Sequence, residues 1–136
     1  MDAETSAEQA TDIRVPRIAV IDDDNEFRTS LCAFMQSAGL WAIGFATAEV
    51  FLAARERVDC IVCDFQIPGH MDGLQLLRAV KASGQATPVI VMSAFGDEAL
   101  TSRAKGEGAH CFLEKPVMID SLLKCIRSAT SAEFRS

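Results

Sequence analysis

Five short apolar runs alternate along the chain with five longer segments whose apolar positions recur every three or four residues. Arg17-Ile18-Ala19-Val20-Ile21, Cys60-Ile61-Val62-Cys63, Val89-Ile90-Val91-Met92 and Cys111-Phe112-Leu113 read as strands buried on both faces, because each is brief, continuous and bounded by turn residues. Trp41, Ile43 and Phe45 alternate with smaller residues, the pattern of a strand nearer the sheet's edge. Phe27, Leu31, Phe34, Met35 and Ala38 form one face of a first helix, which Gly39 ends as a left-handed cap. Thr47 caps a second helix predicted to reach about Arg57. Leu74, Leu77 and Val80 face inward from a third, which stops at Ser83-Gly84. A fourth, capped by Asp97 and running to about Lys105, has the poorest apolar face, and Leu122, Leu123, Ile126 and Ala129 define the fifth. Strands and helices alternating at these lengths force parallel strands with right-handed crossovers, so the predicted fold is α/β, a doubly wound five-stranded parallel sheet.

Composition narrows the picture without redirecting it. With 136 residues and 49% hydrophobic side chains, the chain suits one domain with a substantial core. Residues 1–14 are polar and aperiodic, a predicted disordered leader; 15–131 form the domain, and 132–136 a tail in which Glu133 to Ser136 have the look of a cloning scar. The net charge of −6 disfavours direct nucleic-acid binding, which needs clustered cations. Neither a membrane span nor a signal peptide is legible, so a cytoplasmic location is expected. The five cysteines are an odd set, and Cys60 and Cys63 would point to opposite faces of one strand, so they are expected not to share a metal. Cys32, Cys111 and Cys125 are read with them as structural thiols.

The residues at the carboxyl ends of the strands carry the candidate chemistry: Asp22-Asp23-Asp24, Asp64, Ser93 and Lys115. In an open α/β sheet these positions share one edge, the edge where ligands bind. Each residue alone has a plain structural reading, but their convergence from four strands does not. Crowded carboxylates need a hard cation, and Mg²⁺ or Mn²⁺ fits a site of oxygen donors that leaves positions open for phosphate. A carboxylate beside such an ion can attack a phosphoryl group, with a lysine and a hydroxyl contacting the equatorial oxygens.

In order and spacing these motifs resemble the receiver domain of two-component response regulators, of the short FixJ type. They are Val20-Ile21-Asp22-Asp23-Asp24, Asp64 with Pro68, Gly73 opening the third helix, Ser93-Ala94, and Phe112-Leu113-Glu114-Lys115-Pro116; the match runs from about Arg17 to Thr130. The resemblance implies a flavodoxin-like (βα)5 sheet with strand order 2-1-3-4-5. It implies that Asp64 is the phosphoacceptor, Asp23 a direct Mg²⁺ ligand, Asp22 a ligand through water, and the backbone carbonyl of Gln66 a further ligand. Ser93 would donate to the phosphoryl group, Lys115 would pair with it, Pro116 would follow a cis peptide, and Asp24 would start the helix without binding metal. Ser93 and Phe112 would act as the switch. The implied donor is a sensor histidine kinase or phosphotransfer protein. A downstream protein would dock on the fourth helix, fifth strand and fifth helix, and the chain would be a monomer or a weak phosphorylation-dependent dimer.

One departure is the loop Gly69-His70-Met71-Asp72, one residue longer than the family's usual form, in which His70 reads as a solvated loop residue. A flavin carrier would share the fold, but it needs a phosphate-binding loop where three aspartates stand, and two other classes compete more closely. An aspartate-nucleophile phosphatase would use Asp22 and Asp24, but Glu26 stands where its threonine belongs. A receiver-like interaction module that is never phosphorylated would not need the full set of Asp23, Asp64, Ser93 and Lys115. The expectation is therefore a phosphorylated switch, not a turnover enzyme, with no output domain after Pro116: a stand-alone receiver or a fragment of a longer regulator.

Overall fold

Five strands, β1 (Arg17–Ile21), β2 (Trp41–Phe45), β3 (Cys60–Asp64), β4 (Val89–Ser93) and β5 (Cys111–Glu114), alternate with five helices. These are α1 (Asn25–Ser37), α2 (Ala48–Ala54), α3 (Gly73–Ala82), α4 (Glu98–Gly106) and α5 (Ile119–Phe134). The computed structural model describes residues 15–67, 69, 71–93 and 98–134, with side chains to Thr130. The predicted leader, the helix cap Asp97, Pro68 and His70 lie outside the described residues.

All pairings are parallel, in the order β2-β1-β3-β4-β5. The strand order and α/β class are those expected, and the register sets Ile21 beside Phe45 and Cys63, Asp64 beside Met92, and Ser93 beside Glu114. Every strand therefore ends at the same edge.

Alternate residues of the sheet feed two apolar layers. Ala19, Ile21, Ile61, Cys63, Val89 and Val91 pack with Phe51 of α2, Leu74, Leu77 and Val80 of α3, and Ala104 of α4. Ile18, Val20, Cys60, Val62, Ile90 and Met92 pack with Leu31 and Met35 of α1 and Leu122 and Ile126 of α5. Burying each such aliphatic side chain contributes about 1.5–3 kcal/mol, which is why the three central strands tolerate almost no polar residue. Cys60 and Cys63 indeed lie in different layers.

Four details depart from the expected pattern. Helix α2 stops at Ala54, not near Arg57, with Arg55 in the left-handed region at φ 52°. The residues beyond are committed elsewhere: Arg57 O accepts from Arg17 Nε at 2.9 Å, and the Asp59 carboxylate accepts from Arg17 N at 2.8 Å. Ala38 is exposed because it already caps α1, and Gly39, at φ 91°, turns the chain toward β2. Leu76, absent from the expected inward stripe, is fully buried, so α3 presents a broader apolar face. Helix α5 runs on to Phe134, past the expected domain limit.

Candidate functional site

β1 hands the chain directly to α1, and the turn between them carries three acids. Asp22 has no exposed surface. Its N–H donates to Phe45 O at 3.1 Å, its Oδ1 accepts from Asp24 N at 2.9 Å, and its Oδ2 accepts from Lys115 Nζ at 2.8 Å. Asp24 caps α1 by accepting from Phe27 N at 3.1 Å, which satisfies one of the helix's open donors and leaves Asp23 exposed between them.

Asp64 closes β3 with its side chain 12% exposed. Oδ1 accepts from Gln66 N at 3.4 Å, and Oδ2 accepts from Lys115 Nζ at 3.3 Å. The backbone here leaves no room for a side chain on its neighbour: a Cβ on Gly73 would lie 2.8 Å from Phe65 Cα and 2.9 Å from Asp64 O. Gly73 N donates to Phe65 O at 2.9 Å, and Asp72 forms a capping box with Gln75, so α3 begins directly against the Asp64 peptide.

Lys115 follows β5 and is tied to β4, its N–H donating to Ser93 O at 2.6 Å. Its ammonium lies 4.5 Å from the Phe27 ring centroid while bridging Asp22 and Asp64. Ser93 is buried at the same edge, and the Lys115–Pro116 peptide is cis.

Carboxylate oxygens of Asp22, Asp23 and Asp64 all lie within 4.8 Å of one another. Burial raises the Asp64 pKa above its ordinary value; Lys115 opposes the shift and Asp22 adds to it. Burial lowers that of Lys115, but the hydrogen bond to Asp22 and the charges of Asp64 and Asp22 outweigh it, and the net shift is upward. With all three acids ionised, one ammonium leaves an excess of two negative charges. An all-oxygen donor set with that excess suits a hard divalent cation.

The structure thus gathers Asp22, Asp23, Asp64 and Lys115, with Ser93 at the same edge. Gln66 is exposed, two residues beyond Asp64. Phe112 is half-buried on β5 and packs into the α2–α3–α4 layer, on the face opposite Leu113. Two participants were not anticipated. Phe27, read from sequence only as a core residue, lies beside the Lys115 ammonium, and Arg28 donates from Nη1 to Asp22 O at 2.6 Å. Their position in the first turns of α1, just after three acids, was the available signal.

A parallel sheet with polar groups gathered beyond the carboxyl ends of its strands is a doubly wound α/β protein of the kind that handles ligands at this edge. Residues 18–127 match the response regulator receiver domain model, and the chain belongs to that family. It is 40% identical over 114 residues to the transcriptional regulatory protein FixJ of Bradyrhizobium diazoefficiens, covering 82% of this chain and 55% of that protein. It is 35% identical over 118 residues to the response regulator protein TodT of Pseudomonas putida, covering 85% and 52%. The crystal structure of FixJ-N superposes with a TM-score of 0.79 at 28% identity, over 88% of this chain and 96% of that one. The chain spans about half the length of these curated relatives. The family's function is to accept a phosphoryl group in two-component signalling, and its receivers are generally not turnover enzymes. Among the described residues no helix is long and apolar enough to cross a membrane.

Proposed function

We propose that Asp64 is the phosphoacceptor, receiving its phosphoryl group from a phosphohistidine of a sensor kinase or phosphotransfer protein in the cytoplasm. The observation that carries this reading is the meeting of Asp22, Asp23 and Asp64 oxygens, with one Lys115 ammonium bridging Asp22 and Asp64. An Asp64 oxygen forms the new bond to phosphorus, the phosphorus–nitrogen bond breaks, and the donor imidazole takes up a proton. Water later cleaves the acyl phosphate to restore the carboxylate and release inorganic phosphate. Asp22 is a poor rival nucleophile, being fully buried with both oxygens engaged; this weighs against the phosphatase reading.

Asp22, Asp23, Asp64 and the Gln66 carbonyl would hold Mg²⁺ or Mn²⁺, which supplies charge neutralisation at the phosphoryl oxygens. Lys115 would pass from the Asp64 carboxylate to a phosphoryl oxygen, and the Ser93 hydroxyl would donate to another. In the switch we assign, Ser93 moves toward the phosphate, Phe112 turns inward behind it, and the face of α4, β5 and α5 changes for a downstream protein. The unit that does this runs from residue 15 to the end of α5, a little past the expected limit at 131, as a monomer or a weak phosphorylation-dependent dimer.

Fluorine NMR of the protein with beryllofluoride, a phosphoryl mimic, tests the assignment. Bound fluoride resonances are expected only with Mg²⁺, absent in Asp64→Asn and weakened in Lys115→Ala. Bound resonances that persist in Asp64→Asn would refute the nucleophile assignment.

A further inference from the structure

We propose that Arg28 is a positioning residue for the cation site, holding the peptide that aims Asp23, and that β2 carries glycine at position 44 because Arg28 lies across it. This rests on the reading of Asp22, Asp23 and Asp64 as a cation site. Asp22 is fixed at every polar atom, but among the described residues no hydrogen bond is recorded to the Asp23 carboxylate. The direction of Asp23 is therefore set by the backbone, and the peptide preceding it is the one whose carbonyl Arg28 binds. Arg28 Nη1 donates to Asp22 O at 2.6 Å and Nη2 donates to Asn25 Oδ1 at 2.6 Å, spanning the turn between the acids and α1. On its other side, Asp22 N donates to Phe45 O at 3.1 Å, so the peptides flanking Asp22 are tied to the edge strand and to Arg28.

The path of the Arg28 side chain explains an otherwise unfavourable residue. A glycine inside a strand weakens it and marks a close approach. A Cβ on Gly44 would lie 2.9 Å from both Cγ and Cδ of Arg28 and 3.3 Å from its Nε. Gly44 is exposed and its φ is not in the left-handed region, so it is the passage of Arg28 that alanine would disturb. Residues that orient metal ligands from behind typically change metal affinity about 10- to 100-fold when removed.

The test measures Mn²⁺ affinity by electron paramagnetic resonance of the free ion, together with the thermal midpoint of the metal-free protein. It uses wild type, Arg28→Ala, Gly44→Ala and the double variant. Arg28→Ala is expected to bind Mn²⁺ about tenfold more weakly. Gly44→Ala is expected to weaken binding although the arginine is retained, and to add nothing in the Arg28→Ala background. Affinity within about twofold of wild type in Arg28→Ala, even with a lowered midpoint, would reduce Arg28 to a structural role and overturn the proposal, as would an undiminished Gly44→Ala effect in the double variant. If Arg28→Ala does not fold, Gly44→Ala and Arg28→Lys carry the comparison: weakened binding in both supports the proposal, and unchanged binding in either overturns it. A wild type that binds no Mn²⁺ would instead remove the cation-site reading itself.

Discussion

Burial and the neighbouring charge of Asp22 both work against ionising Asp64, and Lys115 only partly offsets them. Because the folded pKa is raised, the stability contributed by Asp64 is fully present below the ordinary carboxylate range and is lost as pH rises through the raised value. At neutral pH its charge is therefore a burden on the metal-free fold. Asp64→Asn is expected to raise the metal-free thermal midpoint by a few degrees, the shift that about 1 kcal/mol gives a domain of this size, and to weaken the stabilisation by Mg²⁺. Calorimetry with and without Mg²⁺ checks this; a lowered midpoint would contradict it. Lys115 also has a raised pKa, so its contribution is intact at neutral pH and is lost on the alkaline side. Lys115→Met is expected to destabilise the metal-free protein by about 1–3 kcal/mol in urea, since the buried Asp22 loses a partner. Gly73→Ala should also destabilise it by about 1–3 kcal/mol, because the new Cβ meets backbone that cannot turn aside. Asp22, Asp64 and Lys115 were legible in sequence because each follows or ends a readable strand. Arg28 was not, because its target is a backbone carbonyl and its path depends on a glycine in another strand.

Among the elements, α4 is the least anchored: Ala104 is its one buried residue among those described. What ties it down near its end is polar, Arg78 of α3 pairing with Glu107 just beyond α4. Exposed pairs of this kind contribute little, so α4 is expected to open more readily than its neighbours. Hydrogen exchange should show faster amide exchange across α4 than across α3 or α5; equal protection would contradict that. The weak apolar face was visible in the sequence, as were the buried strands, because their signal is local. The end of α2 was not, because Arg57 and Asp59 are held by Arg17, some forty positions away in sequence.

For the whole molecule, two apolar layers pack on one parallel sheet, and one edge of it gathers the residues of the proposed site. The parallel, doubly wound class was readable from the alternation of elements, since crossovers of this length leave few arrangements open, whereas the strand order followed only from the resemblance to receivers. The identity of a donor or a downstream protein is not written in a single chain in the same way, because a docking face takes its meaning from its partner. The central claim, that this scaffold brings Asp64 to a phosphoryl group, is tested most directly by intact-protein mass after incubation with acetyl phosphate. Wild type with Mg²⁺ is expected to gain one phosphoryl group, with none gained without the ion or in Asp64→Asn. A gain retained in Asp64→Asn, or the absence of any gain in wild type with Mg²⁺, would contradict it.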